Sequence, residues 1–131
     1  MKKSVTCLLI DDDDDDFEIF RLALSEIDSR IELTHAPNGF EALETLNDPS
    51  IPIPDFVFID LNMPRMNGRQ CLQEIRKVDR LRSIPVYMYS TSADLKTIEE
   101  SRRLGATNFL VKPSNYRSLV KLLADLIVSY Q

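Results

Sequence analysis

Short apolar runs alternate along the whole chain with segments whose apolar residues recur every three or four positions. Residues 5–10, 31–36, 56–59, 86–89 and 108–111 are runs of strand length, and the third and fourth are almost wholly apolar, as strands covered on both faces should be. Between them, Phe17, Phe20, Leu24 and Ile27 fall on one helical stripe, and Ala42, Leu43 and Leu46 on a shorter one. Cys71, Leu72, Ile75 and Val78 form a third. Leu95, Ile98 and Leu104, interrupted by Ser101, form a weaker fourth, and Leu119, Leu122, Leu123, Leu126 and Ile127 a broad fifth. Asn38-Gly39 and Asn67-Gly68 mark turns ahead of the second and third helices, and Pro85 sets off the fourth strand. Pro49, Pro52 and Pro54 stiffen a surface connection before the third.

Five strand–helix units in this order predict an α/β fold: a doubly wound, five-stranded parallel sheet of flavodoxin-like strand order 2-1-3-4-5, with helices on both faces. Such sheets bind ligands beyond the carboxyl ends of their strands, where the strand order switches. Here the first and third strands flank that switch. The first ends at Asp11-Asp12 and the third at Asp60.

Composition narrows the picture. At 131 residues, with 44% hydrophobic and 28% charged positions, the chain is expected to be one globular domain covering residues 1–131, with no output domain. The net charge of −5 turns slightly positive once the six aspartates 11–16 are set aside, so acidity is local and nucleic acid is not an expected partner. No apolar stretch is long enough to span a membrane, and the run after Met1-Lys2-Lys3-Ser4 is too short for a signal-peptide core. Cys7 and Cys71 lie on apolar faces of different elements and read as buried thiols, consistent with a cytoplasmic setting.

The junction of the first strand with the aspartate run carries the chemistry. Asp is favoured at helix N-caps and first turns, which accounts for Asp13 to Asp16 as capping and solvation. Asp11 and Asp12 lie where a strand would aim them. Like charges a few Å apart repel by ~4 kcal/mol near a surface, and a hard divalent cation such as Mg²⁺ relieves that repulsion. The fourth strand ends in the hydroxyl residues Ser90-Thr91-Ser92 and the fifth in Lys112-Pro113. The sheet top therefore collects three acids, a hydroxyl and an ammonium. His35, without a second ligand nearby, reads as structural, and Tyr87 and Tyr89 as packing residues.

With Asp11-Asp12, Asp60-x-x-Met63-Pro64-x-x-x-Gly68, Ser90, Lys112-Pro113 and Gly105-Ala106 at these spacings, the chain resembles, over essentially its full length, the receiver domain of two-component response regulators. The stand-alone form resembles in particular the single-domain regulators paired with bacterial phytochrome-type histidine kinases. The resemblance implies that Asp60 accepts a phosphoryl group from a sensor histidine kinase or phosphotransfer protein. It implies Mg²⁺ (or Mn²⁺) held by Asp12, Asp60 and the backbone carbonyl of Asn62, with Asp11 acting through water. Lys112, Ser90 and Thr91 would bind the phosphoryl group, Phe109 would be the aromatic switch, and the Lys112–Pro113 peptide would be cis. Asn62 and Ser92 match rate-tuning positions, and neither is an acid or base, so slow self-dephosphorylation is expected.

The resemblance also implies signalling to a downstream protein through the face of the fourth helix, fifth strand and fifth helix. Lys96, Glu99, Glu100, Arg103, Arg117, Lys121 and Tyr116 are its candidates here, and homodimerisation through that face is a further expectation. Such a domain is a phosphoacceptor rather than an enzyme. Two other readings fit less well. A Mg²⁺-dependent phosphatase usually has an acid where Asn62 stands, and a nucleotide- or flavin-binding module needs a phosphate-cradling loop, for which three glycines are few.

Overall fold

The structure is a computed structural model that describes residues 5–61, 63, 66–91 and 94–130, the side chains of 129 and 130 excepted. Five parallel strands, β1 (Thr6–Ile10), β2 (Glu32–Ala36), β3 (Phe56–Asp60), β4 (Val86–Ser90) and β5 (Asn108–Val111), form one sheet in the order β2-β1-β3-β4-β5. The helices α1 (Asp14–Ile27), α2 (Gly39–Asn47), α3 (Gly68–Arg76), α4 (Leu95–Arg103) and α5 (Tyr116–Tyr130) alternate with them. The expected fold class, order and two-sided cover are those observed.

Strand alternation sorts the core into two layers. Leu8, Ile10, Val57, Ile59, Val86 and Met88 face Ala42, Leu46, Cys71, Leu72 and Ile75 of α2 and α3. Cys7, Leu9, Phe56, Phe58, Tyr87 and Tyr89 face Phe20, Leu24, Leu119, Leu123 and Ile127 of α1 and α5. Tyr87 and Tyr89 are thus packing residues. Both cysteines are free and buried, Cys7 under α1 and α5 and Cys71 across the sheet, and burial pushes each thiol up to about 12.

The helix starts follow their capping residues. The Asp13 carboxylate accepts from the Asp15 and Asp16 N–H groups, Asn38 caps α2, and Asn67 with Gln70 forms a capping box on α3. A 3₁₀ turn, Asp79–Leu81, which the helical patterning did not predict, buries Leu81 beneath α3. The Arg76 guanidinium at the end of α3 donates to the carbonyls of Leu81, Ile84 and Gly105 and so ties that turn to the loop before β5.

In α4 the anticipated stripe holds only in part. Leu95 is 78% exposed, Ser101 is the one fully buried residue of the helix, and its Oγ has no hydrogen-bond partner. Instead, Glu100 pairs with Arg69 of α3 at 2.6 Å. Among the described residues no helix is long and apolar enough to cross a membrane.

Candidate functional site

The ladder carries each functional side chain to the same end of the sheet. Asp11 follows β1, and its N–H extends the β1–β2 ladder to the Ala36 carbonyl. Asp60 closes β3 opposite Tyr89, Ser90 closes β4 opposite Val111, and the Lys112 N–H bonds the Ser90 carbonyl at 2.7 Å. The carboxylate oxygens of Asp11, Asp12 and Asp60 lie within 4.8 Å of one another. Asp11 is fully buried and Asp60 is 8% exposed, whereas Asp12 is exposed.

Asp11 is held from several sides. Its Oδ1 accepts the Asp13 N–H at 2.9 Å, and its carbonyl lies 2.7 Å from His35 Nε2, whose ring stacks on Phe17. Its Oδ2 is buried and accepts no hydrogen bond. Burial, reinforced by the charges of Asp60 and Asp16 and opposed by the Asp13 hydrogen bond and Lys112, pushes its carboxyl up to about 6. A buried acid with an oxygen that accepts no hydrogen bond, beside two further carboxylates, fits a hard divalent cation, which takes oxygen ligands and favours the ionised forms.

Lys112 is the cation of this crevice among the described residues. Its Nζ lies 3.0 Å from Asp16 Oδ2, 3.7 Å from Asp11 Oδ2 and 3.8 Å from Asp60 Oδ1, and 5.1 Å from the centroid of the Tyr89 ring. Burial alone would lower its pKa, but the Asp16 hydrogen bond and the charges of Asp60, Asp11 and Asp16 hold it above the ordinary lysine value. Burial, with the same three carboxylates, raises the Tyr89 phenol. An anion-binding ammonium beside a nearly buried carboxylate suits attack by that carboxylate on an electrophile whose negative oxygens the lysine can receive.

The sequence profile of the response regulator receiver domain matches residues 7–124. The chain belongs to this family. Relatives of the receiver include the CpxR homolog of Haemophilus influenzae, a transcriptional regulatory protein 36% identical over 109 residues, which cover 82% of this chain and 44% of that protein. The receiver likewise spans only 51% of the probable C4-dicarboxylate response regulator DctR of Priestia megaterium. The Synechocystis response regulator Rcp1 is more nearly of its own size: 28% identity over 120 residues covers 88% of this chain and 82% of that one. The Mn²⁺-bound structure of Rcp1 superposes with a TM-score of 0.80 at 28% identity, covering 93% and 91% of the two chains. The phosphorylated cyanobacterial phytochrome response regulator RcpA gives 0.88 at 26% identity, covering 98% and 94%. Receiver domains are signalling domains that bind Mg²⁺ or Mn²⁺ at an acidic pocket and interact with a histidine kinase or phosphotransfer partner, and the receiver has such an Asp cluster.

The structure brings together Asp11, Asp12, Asp60 and Lys112, with the buried Ser90 on the adjacent strand end. Thr91 is exposed, and Phe109 is half-buried against the α2–α3 layer. Asn62 and Ser92 lie outside the described residues. One expectation is corrected: the Lys112–Pro113 peptide is trans. Trans is the geometry an X–Pro bond favours intrinsically, by about 0.5–1 kcal/mol. A second concerns Asp16, which is not a mere solvating residue but the hydrogen-bond partner of Lys112. On the α4–β5–α5 face, Lys96, Glu99, Arg103, Arg117, Lys121 and Tyr116 are exposed, while Glu100 is half-buried in its pair with Arg69.

Gly68 shapes the site from behind. Its N–H donates to the Leu61 carbonyl, and a Cβ there would lie 2.7 Å from the Asp60 carbonyl oxygen and 2.8 Å from Leu61 Cα. Gly68→Ala is therefore expected to lower the urea midpoint by an amount corresponding to about 1–3 kcal/mol, as overpacking against backbone does.

Proposed function

We propose that the receiver accepts a phosphoryl group on Asp60 from the phosphohistidine of a partner kinase or phosphotransfer protein. The observation that carries this reading is the nearly buried Asp60 carboxylate, flanked by Asp11 and Asp12 and with the Lys112 ammonium 3.8 Å from its Oδ1. An Asp60 oxygen attacks phosphorus, the P–O bond of an acyl phosphate forms, and the P–N bond breaks; its electron pair stays on the ring nitrogen of a phosphohistidine protonated at its other nitrogen, which leaves as neutral imidazole. Catalysis of such a transfer is mostly positioning and charge stabilisation.

Asp11, Asp12 and Asp60 would hold Mg²⁺ or Mn²⁺, with Asn62 contributing its carbonyl, and the ion when bound offsets the negative charge of the phosphoryl oxygens. This chain's own groups do the rest. Lys112 receives one phosphoryl oxygen, the Ser90 hydroxyl and the Thr91 region receive another, and Phe109 repacks as Ser90 moves. The altered α4–β5–α5 surface then engages a downstream protein or a second copy of the chain, and slow loss of the group follows from the lack of an acid or base at Asn62 and Ser92. We read residues 1–131 as one receiver unit.

Intact-mass analysis after incubation with acetyl phosphate tests this. A single adduct of one phosphoryl group is expected with Mg²⁺, none after chelation and none in Asp60→Asn. An adduct that persists in Asp60→Asn would overturn the assignment of Asp60.

A further inference from the structure

The chemistry above gives no part to Asp16, yet Asp16 is where the lysine is bound. Of the three carboxylates around Lys112 Nζ, only Asp16, at 3.0 Å, is within hydrogen-bond distance; Asp11 and Asp60 stand off at 3.7 and 3.8 Å. Asp16 is the third residue of α1, and the Asp13 carboxylate fixes its backbone N–H at 3.1 Å. It lies outside the trio whose oxygens could share a cation, and its side chain is far more open to solvent than those of Asp11 and Asp60. The Tyr89 ring borders the ammonium on another side. Lys112 therefore rests in a position set by a residue that belongs to neither the metal set nor the phosphoacceptor.

We infer that Asp16 is a positioning residue, a holding partner for Lys112. In the unphosphorylated receiver it keeps the ammonium off Asp60 and Asp11 and leaves their oxygens to a divalent cation. It yields the ammonium to the phosphoryl group on Asp60. The release step rests on the function proposed above; the holding step does not. An ammonium and a divalent cation compete for the same carboxylate oxygens, so a lysine freed from Asp16 falls onto the nearest remaining anions, which are the metal-binding ones. A phosphoryl group brings more negative charge than a single half-exposed carboxylate and draws the lysine from it. The packing asks little of Asp16, because the cap that starts α1 is Asp13.

The experiment is a double-mutant cycle of Asp16→Asn and Lys112→Met, read first by Mg²⁺ titration of the melting temperature. Asp16→Asn is expected to weaken Mg²⁺ binding about three- to tenfold, in the range of coupling between contacting charges, and to leave it nearly unchanged in the Lys112→Met background. At saturating Mg²⁺, acetyl phosphate should label Asp16→Asn about threefold faster than the wild type, because no competing carboxylate remains for the lysine. An equal loss of affinity with and without Lys112 would show that Asp16 acts only as a through-space charge and would overturn holding, as would no loss at all. Labelling of Asp16→Asn no faster than wild type would overturn release. A wild type that binds Mg²⁺ but takes no phosphoryl group would defeat the release step and the function together, and the titration would still decide whether Asp16 holds the lysine.

Discussion

Lys112→Met is expected to slow phosphoryl acceptance from acetyl phosphate by about a hundredfold or more, the scale of losing one preorganised charge-stabilising donor in a water-poor site. The lysine is 15% exposed, so its charge acts in a medium far less screening than water. Methionine keeps the length and most of the apolar stem, which confines the loss to the ammonium. The same change should tighten Mg²⁺ binding, because it removes a competing cation from among Asp11, Asp16 and Asp60. Opposite signs for transfer and for metal affinity separate a lost phosphoryl contact from general damage. Initial labelling rates and a melting titration on the same preparations measure both, and a variant that labels at the wild-type rate would remove Lys112 from the mechanism.

Asp11→Asn is expected to do the reverse of what loss of a buried polar residue usually does. The folded protein holds the Asp11 proton up to about pH 6, whereas the unfolded chain releases it near 4. Folded protein therefore binds more protons between those values, and stability falls as pH rises through that window. At neutral pH the ionised, buried carboxylate costs the metal-free fold roughly 2–3 kcal/mol. Asparagine keeps an oxygen for the Asp13 N–H and carries no charge. Metal-free Asp11→Asn should thus be more stable than wild type at pH 7.5 by about 1–2 kcal/mol, with the gain vanishing near pH 4. It should also lose most of the Mg²⁺-induced rise in melting temperature, since stabilisation by a ligand follows its affinity for the folded state. Urea melts at the two pH values and thermal melts with and without Mg²⁺ measure these changes, and a destabilised variant at pH 7.5 would contradict the account.

The alternation of short apolar runs with helical stripes was enough to place every strand: β1, β3 and β4 are buried on both faces and leave little freedom in sequence, and the partly exposed edge strands β2 and β5 fall between the helical stripes. The residues after those strands were legible for the same reason: Asp60 and Ser90 extend β3 and β4 by one ladder position, so their side chains are carried to the sheet top by the backbone itself. Side-chain partners were not legible. Asp16 sits in a run of identical residues, and nothing in a one-dimensional pattern separates the aspartate that meets a lysine 96 positions away from its solvated neighbours. The contact of His35 with the Asp11 carbonyl has the same origin, a pairing across β1 and β2 that only register reveals. Leu95 misled the periodic reading because an apolar residue at a helix start counts toward a stripe whether or not the helix turns it inward.

The unequal fastening of the helices has a mechanical meaning. Helices α1, α3 and α5 each sink several apolar side chains into the core layers, so displacing any of them opens cavities that cost several kcal/mol. Helix α4 has a serine in that place, and among the described residues it meets α3 in the Arg69–Glu100 pair at the margin of solvent. It is the helix least deeply set into the core, and it is the next helix along the chain from the strand that ends at Ser90, so a substitution on its exposed face has few packed neighbours to disturb.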